Sequence, residues 1–84
     1  MVIGEYYGQV AEEILSVFKS GVILDLGTGP GYLPIEIVKR TPDINIIGVD
    51  LSRKLIQLAQ ANATKAGLSH RLGFEVGNSA ELHF

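Results

Sequence analysis

Apolar and polar residues follow two different spacings along this chain. Three segments repeat apolar residues every three or four positions, which predicts amphipathic helices. These helices are expected over about Tyr6 to Phe18, over Tyr32 to Arg40, and from an N-cap at Ser52 to about Ala66. Short apolar runs rich in valine, leucine and isoleucine predict three strands, at Val22 to Leu26, Ile44 to Val49 and Leu72 to Val76.

The same spacing predicts which residues face the core. The inward positions are Tyr7, Val10 or Ala11, Ile14 and Phe18 in the first helix, Leu33, Ile37 and Val38 in the second, and Leu55, Ala59, Ala63 and Ala66 in the third. The nearly continuous apolar run of the first strand is typical of a strand buried on both faces. Ser20-Gly21 is expected to end the first helix, and Gly67 the third.

The order of these elements is α-β-α-β-α-β, which predicts an α/β fold. Strands separated by helices form parallel sheets with right-handed crossovers. We therefore expect a Rossmann-like, doubly wound parallel sheet of which only the first half is present, about three strands with their helices. The first strand should lie inside the complete sheet, with the second and third stepping away to one side.

Length and composition limit the classes of function that are possible for this chain. The chain has 84 residues, a net charge of -2 and no cysteine, so it predicts one domain without disulfides and offers no basic surface for nucleic acid. No apolar stretch approaches the roughly 18 residues of a membrane span. The first residues, "MVIGEYYGQV", do not read as a signal peptide, so we expect a cytoplasmic protein without a membrane partner.

The loop "GTGPG", Gly27 to Gly31, follows the first predicted strand and opens a helix. Glycine permits positive φ and lets a ligand approach the main chain, and a helix N-terminus favours a negative group. The alternative is a tight strand-to-helix turn without a ligand. Three glycines in five residues favour the ligand site.

Asp50 ends the second predicted strand, 21 residues after Gly29. An acidic residue at that distance accepts hydrogen bonds from ribose hydroxyls. An aspartate at a strand end is more often a helix cap, but Ser52 is available for that role. Leu51 then lies where it could pack on a purine face.

A third loop, Gly77 to Ala80, reaches the same edge of the sheet. The side-chain carbonyl of Asn78 could accept a hydrogen bond from an exocyclic amine, and a backbone N–H near Ser79 could donate to a ring nitrogen, as in adenine recognition. An asparagine-containing turn is an equally good interpretation. The three loops together predict a nucleoside, with adenosine favoured.

Two common cofactor motifs do not match. A nicotinamide site has G-x-G-x-x-G, but Tyr32 stands at the third glycine position, and no lysine follows the loop as in a P-loop. Instead, "VILDLGTGPGYLPIEI", "IIGVDLS" and "FEVGNSAELHF" resemble motifs I, II and III of the class I S-adenosylmethionine-dependent methyltransferases. Asn78 stands where an aspartate is common in that family.

The resemblance implies a cofactor and a set of residues that bind it. In the family, main-chain carbonyls of the first loop hold the methionine amino group, and these would be those of Gly27 and Gly29. Asp25 would brace the loop and reach the amine, or would only satisfy loop N–H groups. The full set implied for S-adenosylmethionine is Asp25, Gly27, Thr28, Gly29, Gly31, Asp50, Leu51, Asn78 and Ser79.

Four other residues have open or absent roles. Tyr6 or Tyr7 could touch the cofactor carboxylate, although an aromatic pair near a helix start is more often core. His70 and His83 have no ligand pattern around them, so no metal site is expected.

The resemblance implies methyl transfer to an unidentified acceptor, with a small molecule favoured. Residues 1–84 would form a partial domain, with an N-terminal helix in 1–20 and the cofactor-binding βαβαβ half in 21–84. A family domain has four further strands and the acceptor site, so we expect the chain alone to be inactive. The alternatives are a non-catalytic module that binds S-adenosylmethionine or its product, and a nicotinamide-binding fragment. The unpaired edge of the first strand predicts a homo-oligomer or a fragment of a longer chain.

Overall fold

The computed structural model describes residues 3–77, which form three helices and three strands. The elements in chain order are α1 (Ile3–Leu15), β1 (Gly21–Leu26), α2 (Tyr32–Arg40), β2 (Ile44–Asp50), α3 (Arg53–Lys65), a short 3-10 turn (Ser69–Arg71) and β3 (Leu72–Val76). The predicted element order is confirmed. No helix within this part of the chain is long and apolar enough to cross a membrane.

The three strands form one parallel sheet in the order β1-β2-β3. Leu24 pairs with Ile47 in the first ladder, and Ile47 pairs with Gly73 in the second. This is the predicted Rossmann-like half-fold, in which β2 and β3 step away from β1 to one side. Because both crossovers step in the same direction, right-handed connections place α2 and α3 on the same face of the sheet.

The hydrophobic core lies between that face and the helices. Isoleucines from alternate positions of β2 meet apolar side chains of all three helices there, since alternate residues of a strand point to one face. The buried cluster contains Ala11, Ile35, Ile37, Val38, Ile44, Ile46, Ala63 and Leu72. Pro34 is also buried within the first turn of α2, where its missing N–H costs no hydrogen bond.

The prediction that β1 is buried on both faces is wrong. Val22, Leu24 and Leu26 are 69%, 43% and 51% exposed. They point away from the helices, and β1 is also an edge strand in the described sheet. The apolar run therefore indicates a strand that is suited to burial, but no described element covers this face.

Two helix predictions are also corrected. α1 ends at Leu15, not at Phe18, and the Phe18 side chain is 57% exposed beyond the helix. In α3, Ile56 is buried with Ala59 and Ala63, whereas Leu55 is 37% exposed. Ala66 is exposed as well. The buried face of α3 thus runs through Ile56, Ala59 and Ala63, because the packing of α3 on the sheet turns Ile56 inward in place of Leu55.

The C-terminal end of α2 is held by Arg71, which follows α3. Its guanidinium donates hydrogen bonds to the carbonyl oxygens of Val38, Thr41 and Ile44. The Val38 and Thr41 carbonyls lie at the C-terminal end of α2, where the partial negative charge of the helix favours a cation, and the Ile44 carbonyl opens β2. Arg71 therefore ties the end of α2 to the start of β2.

Candidate functional site

The glycine loop and the end of β2 meet at the carboxyl edge of the sheet. The N–H groups of Gly27 and Thr28 both donate to the carbonyl oxygen of Val49, at 2.7 and 2.9 Å, and the N–H of Gly31 donates to the carbonyl of Thr28 at 3.1 Å. These bonds fold the loop back over the last residues of β2. The edge that carries ligands in open parallel sheets is thus formed here by two adjoining segments.

The Asp50 carboxylate is turned toward the glycine loop. Its Oδ2 accepts a hydrogen bond from the Gly29 N–H at 2.9 Å, and its Oδ1 accepts one from the Ser52 N–H at 2.9 Å. The Ser52 hydroxyl in turn accepts from the Leu55 N–H at 3.1 Å, so Ser52 caps α3 as predicted. A carboxylate has about four acceptor positions, which leaves about two on Asp50 for a ligand.

Gly27 and Gly29 leave open space on the outer side of the loop. Their φ angles are 75° and 58°, and a Cβ on either residue would meet no atom within 4 Å. Gly31 differs, since its Cβ would lie 3.1 Å from both Ala59 and the Phe74 ring. Gly31 is therefore required by internal packing, whereas Gly27 and Gly29 keep an accessible backbone that a ligand could approach.

Asp25, near the end of β1, is half-buried and does not serve the loop N–H groups. Those groups of Gly27, Thr28, Gly29 and Gly31 all donate elsewhere. The sequence-based alternative that Asp25 only satisfies them does not occur in the structure. Burial raises the pKa of the Asp25 carboxyl, and the neighbouring Thr28 hydroxyl partly opposes that rise.

Three residues that the sequence reasoning missed support the loop from below. Asn62 in α3 donates from Nδ2 to the carbonyl of Pro30 at 2.9 Å. A Cβ on Gly48 would lie 2.6 Å from the Thr28 hydroxyl and 2.8 Å from the Phe74 ring. A glycine inside an apolar strand was the available signal for Gly48, since it often marks a close approach. Asn62 and Phe74 had no comparable signal.

Comparison with known proteins identifies the fold and the family. A family model described as a methyltransferase domain matches residues 17–84. The chain belongs to the class I S-adenosylmethionine-dependent methyltransferases. Its cofactor is therefore S-adenosylmethionine. An accessible backbone at Gly27 and Gly29, beside an acidic side chain with unused acceptor positions, fits that cofactor.

The relatives include the ubiquinone/menaquinone biosynthesis C-methyltransferase UbiE of Geotalea uraniireducens, 31% identical over 67 residues, or 79% of this chain and 28% of the relative. The chain spans less than a third of the length of the curated relatives it matches. A Methanococcus maripaludis structure assigned to the same methyltransferases has a TM-score of 0.87 at 29% identity, over 93% of this chain and 36% of that one. TrmK of M. capricolum, solved with S-adenosylhomocysteine, has a TM-score of 0.77 at 27% identity, over 96% and 34%.

Tyr32 takes the place of a third glycine in this methyltransferase loop, and the structure shows what it contacts. Its ring lies 5.7 Å from that of Tyr7 in α1, and Tyr7 in turn lies 5.1 Å from Tyr6 in an edge-on arrangement. The side chain therefore points to α1. Tyr7 is half-buried in this aromatic contact, and Tyr6 is 47% exposed beside it.

The remaining predicted site residues are located only in part. Leu51 is 72% exposed at the rim, next to Asp50. The Gly77 N–H donates to the carbonyl of Asp50 at 3.0 Å, which brings the start of the third loop to the same edge. Asn78, Ser79 and His83 lie outside the described residues.

Proposed function

We propose that this chain is the cofactor-binding part of a methyltransferase that transfers a methyl group to an unidentified acceptor, with a small molecule favoured. The observation that carries the proposal is the hydrogen bond between the Asp50 carboxylate and the Gly29 N–H. It joins the acidic residue and the open glycine loop at one edge of the sheet. A sugar and an amino-acid group of the same ligand could therefore be recognised side by side.

Each predicted residue has a distinct part in this proposal. The two unused acceptor positions of Asp50 would receive the ribose hydroxyls, and Leu51 would pack on the purine. The main chain of Gly27 and Gly29, together with Asp25, would hold the methionine amine. The proposed set also includes Thr28 and Gly31 in the loop, and Asn78 and Ser79 toward adenine.

The chemistry of the reaction needs mainly positioning. The cofactor supplies a methyl group on a sulfonium, which is already activated for transfer. The residues of this chain bind and orient it, and orientation alone contributes several kcal/mol to such reactions, roughly 7 to 11 in favourable cases. Because the chain spans less than a third of its curated relatives, we further propose that these 84 residues alone do not transfer methyl groups.

A non-catalytic module that binds S-adenosylmethionine or its product is the second candidate, and the same site supports it. A nicotinamide site is disfavoured by the Tyr32 side chain, which occupies the third glycine position and contacts Tyr7. A net charge of -2 likewise disfavours nucleic acid as the acceptor. A screen for methyl acceptors, with the remaining strands of a methyltransferase domain supplied, separates the first two candidates. Methyl transfer in that screen would favour the enzyme over the non-catalytic module.

Thermal-shift titration with S-adenosylhomocysteine and with NAD tests the proposal. Ligand at about 100 times its dissociation constant should stabilise the fold by roughly 2.7 kcal/mol. We expect a shift with S-adenosylhomocysteine and none with NAD. Asp50→Ala should remove most of that shift, whereas Asp43→Ala, which removes the same charge from an exposed turn residue, should not. A shift with NAD alone, or an unchanged shift in Asp50→Ala, would contradict the assignment.

A further inference from the structure

The Thr28 hydroxyl is buried without a hydrogen-bond partner. Thr28 is 7% exposed, and its Oγ1 lacks a partner among the described residues. A buried hydroxyl without a partner costs about 1 to 3 kcal/mol. A valine, which has the same shape, would avoid that cost. The presence of a hydroxyl at this position therefore needs an explanation other than packing.

The hydroxyl lies in a space that a glycine leaves open. Asp25 in β1 and Gly48 in β2 are paired positions of the parallel ladder, so both face the helices. A Cβ at position 48 would come within 2.6 Å of the Thr28 Oγ1. Because Gly48 has no side chain, the Thr28 hydroxyl occupies the place beside the Asp25 carboxyl.

Asp25 has no main-chain donor from the loop. The loop N–H groups donate to Val49, to Asp50 and to the carbonyl of Thr28 itself. The Thr28 hydroxyl, by contrast, is not bonded to the main chain, and it lies beside Gly48, the ladder partner of Asp25. Burial and this hydroxyl are the two causes that act on the pKa of Asp25. No titratable group of a neighbouring element is among these causes.

We propose that Thr28 is a positioning residue, whose hydroxyl donates to the Asp25 carboxylate and so holds it toward the ammonium group of the ligand. This inference rests on the proposed function and assigns to Thr28 the selection of a ligand with a charged amino-acid end. Thr28 would therefore act on the ammonium group through Asp25.

A comparison of two ligands and three variants tests this role. S-Adenosylhomocysteine carries the ammonium group, whereas 5′-methylthioadenosine has the same nucleoside without the amino-acid end. Calorimetric titration should show that Thr28→Val binds S-adenosylhomocysteine about fivefold more weakly, the value of one ordinary hydrogen bond, and binds methylthioadenosine unchanged. Thr28→Ser, which keeps the hydroxyl, should bind both ligands as the unaltered chain does.

Asp25→Asn completes a double-mutant cycle with Thr28→Val. In that background Thr28→Val should have no further effect, because the group that it positions no longer carries charge. Two outcomes would overturn the inference while leaving the proposed function intact. One is that Thr28→Val loses affinity equally for both ligands, and the other is that Thr28→Val still lowers affinity when Asp25→Asn is already present. Failure of the unaltered chain to bind either ligand would overturn the proposed function instead.

A readout without ligand gives an independent test. Carboxyl resonances followed by NMR against pH report the pKa of Asp25 directly. Removing the hydroxyl in Thr28→Val should move that pKa further up, and Thr28→Ser should leave it in place. An unchanged Asp25 pKa in Thr28→Val would overturn the inference.

Discussion

Gly29 and Asp50, 21 residues apart, are joined by a hydrogen bond of 2.9 Å from the Gly29 N–H to the Asp50 carboxylate. Since Ser52 donates to the other carboxylate oxygen, the side chain is held from both sides. The bond connects the loop after β1 to the end of β2. The fold itself therefore holds these two segments together, and such preorganisation of a proposed site lowers the entropy that binding must overcome.

Gly29→Ala should weaken ligand binding more than it weakens the fold. The φ of 58° would strain an alanine by about 1 kcal/mol, and its methyl group would project into the open space above the loop. Urea unfolding should show the small loss of stability. Titration with S-adenosylhomocysteine should show a loss of affinity of at least tenfold.

Gly67→Ala is the matched control for that substitution. Gly67 has a φ of 73° and open space around its Cβ position, but it follows α3 at the other edge of the sheet. The strain in the fold should be similar, with ligand affinity unchanged. Equal effects of the two substitutions on affinity would mean that the space above Gly29 is not part of the binding site.

Gly48→Ala should destabilise the protein by about 1 to 3 kcal/mol, because its methyl group would overlap the Thr28 hydroxyl and the Phe74 ring. Gly73→Ala in β3 is a matched control, since its Cβ would meet Ile47 at an ordinary 3.9 Å. That substitution should be neutral or slightly stabilising. Denaturant unfolding measures both. Similar losses from the two alanines would show that the loop adjusts freely to a larger residue 48.

Asp25→Asn should stabilise the ligand-free chain at neutral pH. Burial raises the pKa of Asp25 above its ordinary value of 3.8, so the folded state binds the proton more tightly than the unfolded state. Stability from this group is therefore fully present below about 3.8 and is lost as the pH rises through the raised pKa. Asparagine avoids that loss.

Melting temperatures measured from pH 3 to pH 7 check this sign. The advantage of Asp25→Asn over the original chain should grow with pH across about that range, while its affinity for S-adenosylhomocysteine should fall. Asp43→Asn, which alters an exposed carboxylate, serves as the control and should show no growing advantage. An advantage of Asp25→Asn that shrinks as the pH rises would contradict the proposed effect of burial.

Leu24→Lys tests the uncovered side of β1. Val22, Leu24 and Leu26 form an exposed apolar stripe on an edge strand, and such edges favour association. We predict that β1 is covered by a second copy or by further residues of a longer chain. For the 84-residue chain, sedimentation should show self-association that Leu24→Lys reduces and that Leu58→Lys, on the exposed face of α3, leaves unchanged. A monomer whose β1 amides resist hydrogen exchange would contradict this prediction.

Patterns among residues close together in the sequence were sufficient to predict much of the fold. The sequence predicts α2 with the bounds that the structure has, and Ser52 caps α3 as expected. Gly67, with a φ of 73°, follows α3 where the chain had to turn. Caps, turns and helical periodicity depend on residues within about four positions of one another, so they can be read from a single sequence.

The position of Asp50 opposite the glycine loop was also predictable, because parallel strands bring their carboxyl ends to one edge of a sheet. The exposure of β1 was not predictable from its own residues, since its apolar run is equally suited to a covered face. The choice of Ile56 over Leu55 depends on how α3 packs against β2 and β3. The placement of the Thr28 hydroxyl over Gly48, beside Asp25, depends on three segments that meet only in the folded chain. Packing and burial of this kind are set by contacts between residues far apart in sequence, which local spacing does not encode.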